Sequence, residues 1–387
     1  MLLMFNGLKV CAQSSFWKSK SAYLGQTPPN DTPKIFAKGM LADAGHWAGD
    51  RVCFSADGRE FYYGYAKDWF TPNSRILYFK YLNHKWTGPI LFYKDHYGQV
   101  FSMDGKSLYF MGGKGGVWQS HRTKDGWTEP VIYMQKKYGL YDFMPTLTGN
   151  MYVGSNGNQG DIKDFSTYNF CRITVSHHDT TIKSLGTPLN APGFNGDFFI
   201  APDESYMIIS DKETKDFKAE LFISFHKPDD TWTNPKSLGP LINNSLADRW
   251  GEYVSPDHKY LFYTQGPDSK NCFIYWVRFD KLLEHLRHSN FEPYIKNPIK
   301  DQSALAGQPF SIEIPGDTFV DDDGNNTLTS TATLSDGQPL PAGLIFNDAS
   351  GKFTGNIATP GTYPIKITVT DTAKATTSCV FNLMVKN

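Results

Sequence analysis

The chain has 387 residues, more than one hydrophobic core usually organises, so two domains are expected. Aromatic residues make up 15% of it, with 28 Phe and 21 Tyr beside little Ala- and Leu-rich helical sequence, which favours an all-β protein. Lys plus Arg (38) balances Asp plus Glu (39), so no overall field draws the chain to nucleic acid or anionic lipid.

Residues 1–13 form an apolar run ending in Val10-Cys11-Ala12, read as the remnant of a secretory signal peptide without its basic start. The alternative is a buried first strand. As a lipid-attachment site Cys11 fits poorly, because Val10 precedes it. The signal reading makes the protein secreted, periplasmic or cell-surface. No stretch has 18 apolar residues, so no transmembrane segment is expected. Residues 14–32 are polar, carry Pro28-Pro29-Asn30-Asp31, and are expected to be an exposed lead-in. After them Lys34-Ile35-Phe36-Ala37 reads as one strand without a hairpin partner nearby.

From here a strand, tight turn and aromatic strand return with turns starting at 55, 102, 146, 201 and 255, a period of about 50 residues, which is that of propeller blades. Ser55-Ala56-Asp57-Gly58 and Ser255-Pro256-Asp257-His258 are two of the turns; each places Asp, Pro or Gly where a hairpin must reverse. Arg75–Tyr81 and Trp86–Phe92 complete the first blade. Trp86-Thr87, Trp127-Thr128-Glu129-Pro130 and Trp232-Thr233-Asn234-Pro235 give a second periodic mark, and these tryptophans are expected to pack between sheets. The fifth blade has the hairpin and Phe273–Phe279, but then Lys281–Arg287 reads as a short helix. The orphan 34–37 is the missing outer strand, and its pairing with Ile274–Val277 would close the ring. The fold class is therefore all-β: a five-bladed β-propeller over residues 33–292, closed by its N-terminal strand, followed by an Ig-like sandwich. The five cysteines (Cys11, Cys53, Cys171, Cys272, Cys379) show neither disulfide nor zinc spacing, and those in blade strands read as core.

Beyond Pro293 and Pro298 aromatics thin out while Thr, Asp and Gly rise, and residues 299–387 hold short alternating strands such as Phe310–Ile314, Tyr363–Val369 and Val380–Val385. The hairpins, Trp232-Thr233-Asn234-Pro235 and Ile274-Tyr275-Trp276-Val277 resemble the TolB-type, WD-like propeller repeats of secreted Bacteroidetes proteins. Phe319-Val320-Asp321-Asp322-Asp323-Gly324, Leu340–Phe346 and Thr368-Val369-Thr370-Asp371 resemble the cadherin-like "putative Ig" modules of bacterial extracellular proteins. Such repeats specify fold and leave activity open.

In a propeller the first strand of each blade runs beside the central channel, so residues at its start gather at one mouth. The candidate ligand residues are His46, Trp47, Asp50, Arg51, His96, Tyr97, Asp142, Asp197, Arg249, Trp250 and Glu252, with Asp95, Tyr141, Asn195 and Asp248 beside them. Carboxylates, guanidinium groups and aromatic faces together suit a sugar. Two of the acids could serve a glycoside hydrolase, and equally each Asp could be a structural acceptor of backbone N–H groups. Trp47 and Trp250 are expected to become neighbours through the closure. His177-His178-Asp179 falls at the tip of an outer hairpin and reads as a solvated turn. Gly112–Gly116 lacks the spacing and following helix of a phosphate loop. In the second domain Asp321, Asp323 and Asp371 offer oxygens to calcium, although Asp-Asp-Asp-Gly is also an ordinary turn. No other cofactor is implied. The expected function is a monomeric, secreted or envelope propeller binding a glycan or envelope protein without catalysis. The alternative is a glycoside hydrolase or polysaccharide lyase with its site at the channel mouth.

Overall fold

The computed structural model describes residues 15–43, 45–67, 74–112, 116–136, 139–155, 168–176, 179–190, 196–211, 218–245, 247–268 and 271–387. Cys11, the His177-His178 pair and Asn195 lie outside these. Two units divide the chain, residues 1–287 and 288–387.

In the first unit strand β1 (Lys34–Ile35) precedes antiparallel sheets of four strands, or in one case five, built in chain order. Sheet one is β2 (Trp47–Phe54), β3 (Glu60–Ala66), β4 (Arg75–Leu82) and β5 (Lys85–Lys94). Sheet two is β6 (His96–Phe101), β7 (Ser107–Gly112), β8 (Gly116–Thr123), the short β9 (Gly126–Trp127) and β10 (Val131–Met134). Sheet three holds β11 (Leu140–Pro145), β12 (Met151–Ser155), β13 (Asn169–Ser176) and β14 (Asp179–Ser184). In sheet four are β15 (Phe198–Ile200), β16 (Tyr206–Asp211), β17 (Glu220–Phe225) and β18 (Lys236–Ser237). Sheet five combines β19 (Asp248–Val254), β20 (Tyr260–Gly266) and β21 (Phe273–Arg278) with β1. The first strands neighbour one another in a ring, β2 beside β6 and β19, β11 beside β6 and β15, β15 beside β19. This is a propeller.

The repeat turns explain the period. Ser55 Oγ donates to Asp57 Oδ1 at 2.6 Å while the Glu60 N–H donates back to Ser55 Oγ at 2.9 Å. Ser102 with Asp104 and Ser255 with Asp257 repeat the bond at 2.7 Å. The following residue takes the left-handed conformation, as Gly58, Gly105 and Gly149, and as Glu204 and His258. Glycine does so without strain, and the other two do so against it.

Closure follows the sequence expectation: Lys34 pairs with Trp276 and Ile35 with Tyr275, and the Phe36 N–H donates to Ile274 O at 2.8 Å. Phe36, 1% exposed, packs on Phe61, Phe262 and Trp276. The lead-in is exposed mainly at its polar residues. Phe16, Trp17, Tyr23 and Leu24 are buried. Trp17 Nε1 donates to Ala56 O at 3.0 Å, and Tyr23 lies among Phe54, Tyr260 and Trp276. Apolar area at the junction of sheets one and five recruits these aromatics, whose irregular spacing hides them among polar neighbours. Helix α1 (Asp280–His288) follows β21.

The second unit comprises β22 (Tyr294–Ile295), β23 (Gln302–Leu305), β24 (Phe310–Glu313), β25 (Phe319–Val320), β26 (Thr329–Leu334), β27 (Leu344–Asn347), β28 (Lys352–Gly355), β29 (Gly361–Thr370) and β30 (Thr376–Lys386). One sheet runs β23-β30-β29-β26, another β24-β28-β27. Phe353, Ile365, Ile367, Phe381 and Leu383 fill the space between them. Residues 293–298, where the composition changes, carry β22, which pairs with β25. Cys53, Cys171, Cys272 and Cys379 are buried free thiols. No described helix is long and apolar enough to cross a membrane.

Candidate functional site at the channel

The inner strands β2, β6, β11 and β19 each carry extra residues against their partner, so the register shifts between Gly49 and Cys53, Tyr97 and Val100, Tyr141 and Met144, and Trp250 and Tyr253. Each of these bulges holds one residue at positive φ: Asp50 (61°), Gly98 (60°), Asp142 (53°) and Gly251 (65°). Gly251 is required twice over, since a Cβ there would stand 2.6 Å from the Asp50 carbonyl carbon. The bulge turns the next side chain into the body of the ring. Arg51, Gln99, Phe143 and Glu252 are all buried at this position, and so is Phe198, which follows Asp197 on β15.

Adjacent sheets are linked through the bulges. The Asp50 carboxylate accepts the Gly98 N–H at 2.8 Å, and that of Asp197 accepts the Gly251 N–H at 3.2 Å. Both acids therefore take the structural part that Asp plays at such turns. Arg51 Nη2 donates to Phe198 O at 2.8 Å and stands 3.3 Å from Asp142 Oδ1, crossing the ring from sheet one to sheets three and four. Tyr168 OH donates to Asp142 Oδ2 at 3.2 Å. Gln99 Nε2 donates to Arg51 O.

Burial, then the charge of Asp197, pushes the Asp50 carboxyl up to about 6. Burial, then the charges of Asp50 and Asp142 and, more weakly, Asp197, holds the Tyr97 phenol above its ordinary value. Burial and the charge of Asp197 raise Glu252 well above the usual carboxylate range. Geometry agrees: Ser210 Oγ lies 2.6 Å from Arg249 O and bonds Glu252 Oε1 as well. A hydroxyl has one hydrogen. With it directed at the carbonyl, the second bond needs a proton on Glu252. Arg51 Nε and Nη1, Gln99 Oε1 and Glu252 Oε2 are buried and find no partner among the described residues.

Trp47 and Trp250 meet edge to face with ring centroids 6.1 Å apart, as the closure implied. Trp47 is packed against Ala66 and Cys272, leaving Trp250 the more open of the two. The remaining candidates stand elsewhere. Arg249 is fully buried and donates to the carbonyls of Ile242 (3.0 Å), Ala219 (3.1 Å), Ser245 (3.1 Å) and Ala247 (3.3 Å), so it braces a loop and does not face the mouth. His46 stacks on Tyr65 at 4.8 Å with Nδ1 2.8 Å from Asp43. The His96 ring abuts Phe110 and Trp118, its Nδ1 2.6 Å from Lys94 O, and burial lowers its pKa. Gln99, Ser210 and Tyr168 were not among the sequence candidates. Aligning Gly49-Asp50-Arg51 with Tyr97-Gly98-Gln99 and Trp250-Gly251-Glu252 would have found Gln99.

In the second unit the Asp371 carboxylate accepts the Ala375 N–H (2.8 Å) and Asn290 Nδ2 (2.7 Å), Asp323 accepts the Phe291 N–H (2.6 Å), and Asp321 Oδ1 accepts the Asp323 N–H (2.8 Å). Burial, then the charges of Asp323 and Asp371, raises the Asp321 carboxyl, whose buried Oδ2 finds no partner. Among the described residues no three His, Cys, Asp or Glu side chains are grouped as a metal site.

Residues 292–386 match the family "Putative Ig domain". No curated protein matches the chain. Among solved structures, a Bacteroides fragilis protein described as a "putative alpha-galactosidase" is 20% identical over 25% of this chain and 18% of its own, with a TM-score of 0.19. The extracellular domain of a "putative hybrid two component system" of B. thetaiotaomicron is 10% identical, with 94% of this chain and 58% of that one covered and a TM-score of 0.32. An oligogalacturonate lyase from Vibrio parahaemolyticus is 10% identical over 91% of this chain and 85% of its own, with a TM-score of 0.34. The chain thus spans about a fifth of the first of these and under two thirds of the second. Likenesses this low say nothing of activity; the Ig-like family assignment applies to the C-terminal segment.

Proposed function

We propose that the first unit is a non-catalytic binding propeller, of the TolB-like repeat kind, that takes a glycan at the channel mouth and works in the cell envelope or outside the cell. The observation that carries this reading is that neighbouring inner strands bring together Asp50 and Asp197, each held by a backbone N–H of the next sheet, and Asp142 beside Arg51, all three charges acting on Tyr97. Acceptors around a hydroxyl, with the open Trp250 ring beside Gly251, match a sugar's hydroxyls and C–H faces. Asp50 and Asp197 are already pinned by backbone N–H groups, which favours fixed acceptors over a mobile acid–base pair. Titration of a glycan panel tests this. Trp250→Ala and Tyr97→Phe should each weaken the bound glycan roughly tenfold, with melting little changed. Unchanged glycan affinity in both variants would refute the site.

One observation favours a carbohydrate-active enzyme as second reading: Asp50, at about 6, is poised as a proton donor near neutral pH beside Asp197. Release of reducing ends by the wild type, lost in Asp50→Asn, would select it. In the second unit, calcium is the ligand that Asp321 Oδ2 would take, with Asp323 and Asp371 as further oxygens. A melting point raised by calcium and restored by a chelator tests that assignment.

A further inference from the structure

Sheets one and two enclose a cleft of about 500 Å³ at their hairpin ends, away from the channel mouth where β2 begins. Its floor is Glu60, buried and held by Arg122 in a two-pronged pair at 3.1 and 2.7 Å and by Tyr62 OH at 3.2 Å. Arg122 lies over the Trp127 ring at 4.3 Å and bonds Gly105 O through Nε at 3.4 Å, so its orientation is fixed by partners on every side. Two further cations line the cleft more loosely. Lys80 Nζ is 4.0 Å from Glu60, and Arg59 Nε is 4.0 Å from Asp57, both with about half of their side chains in solvent. Asp57 is occupied by Ser55 Oγ at 2.6 Å and the Arg59 N–H at 3.1 Å.

Three cations thus face two acids, a local excess of one positive charge that a monoanion would neutralise and a dianion would overshoot. Between the cations the wall is apolar: Tyr81, Leu82, which is 50% exposed, and Phe101. Tyr81 is anchored by its hydroxyl on Ser21 Oγ at 3.0 Å and carries the Arg59 guanidinium 5.9 Å above its ring. The acid is also peculiar to this blade. The position of Glu60 in the repeat is held by Ser107, Met151, Tyr206 and Tyr260 in the others, so no requirement of the fold places it here.

From this geometry we infer that the cleft is a second ligand site, which takes a carboxylate borne on a compact body with an apolar face, the acid set between Lys80 and Arg59 and the body against Tyr81, Leu82 and Phe101. A uronic acid and an aromatic acid both have this chemistry. Amide chemical shifts of the full chain, titrated with galacturonate and with benzoate, decide between them. At least one should saturate with a Kd of about 1 mM and move the Leu82, Gly105 and Arg122 amides, while galactose and benzamide do not. Lys80→Ala and Arg59→Ala should each weaken binding about three- to fivefold, and added salt should weaken it further. Trp250→Ala at the channel mouth should leave it unchanged, which separates failure here from failure of the channel reading. Neither acid binding, neutral analogues binding equally, or both charge variants retaining full affinity would overturn the proposal.

Discussion

Replacing Asp50 by Asn removes a charge that the fold holds against burial and against Asp197, while an amide oxygen can still accept the Gly98 N–H. The carboxyl rises from 3.8 in the free side chain to about 6 in the fold. At about 1.4 kcal/mol per unit, the charged form disfavours the folded state by up to about 3 kcal/mol, and roughly half that once solvent screening of the half-buried group is allowed for. The sign follows from proton counts. Between the two values the folded chain keeps a proton that the unfolded chain has released, so stability falls as pH rises from about 4 to about 6 and the full penalty stands above that. Asp50→Asn should accordingly melt higher than wild type at pH 7.5, and the gap should close as pH drops towards 4. Scanning calorimetry of the propeller transition across this range gives the comparison. A variant less stable at pH 7.5, or a gap independent of pH, would show that Asp50 is a net stabilising ion and would remove the basis for treating it as a proton donor.

Deleting residues 1–38 takes away β1 and the buried Phe16, Trp17, Tyr23 and Phe36, at about 1.5–3 kcal/mol each, so the propeller should lose its cooperative melt; a truncated chain melting like the full one would contradict the closure. Trp127→Ala should destabilise by about 2–4 kcal/mol, since the half-buried ring packs on Phe92 and Phe101, donates to Tyr62 OH and supports Arg122, as denaturant unfolding would measure. His258→Gly should stabilise by about 0.5–1 kcal/mol by relieving positive φ at an exposed side chain. Glu204→Gly should instead destabilise: burial raises that carboxyl, but bonds from Thr146, Thr148, Asn150 and Tyr152 outweigh it and hold the carboxyl low, and thermal melts of the two variants should move in opposite directions.

The architecture was legible where local chemistry repeats. These hairpins place an Asp immediately before the left-handed residue, where it accepts the N–H two residues on, so Asp57-Gly58 and Asp104-Gly105 announce themselves, and even His258 keeps the Asp before it. Strand arithmetic then found the closure, because a fifth sheet one strand short has to borrow one. Burial of the lead-in was not legible. Phe16, Trp17 and Tyr23 follow no period of 2 or 3.6; the surface they cover exists only after sheets one and five have met.

The channel shows why site residues are harder to read than folds. A bulge inserts residues into β2, β6, β11 and β19, and a shift of one residue moves every later side chain to the opposite face. Grouped only by nearness to the start of the strand, Arg249 and Glu252 are both assigned to the mouth. Once Gly251 is set level with Asp50, Arg249 falls level with Ala48 and Glu252 with Arg51, which separates a loop brace from a ring residue. That Arg51, Gln99 and Glu252 share this level on neighbouring sheets is a consequence of the bulge, and it brings unmatched buried donors and acceptors to the centre of the ring. Such atoms are costly unless something bonds to them. Their concentration beneath Asp50, Asp142 and Asp197, with the apolar Phe143 and Phe198 completing the ring, is what distinguishes this channel from a packed core and gives the binding reading its physical basis.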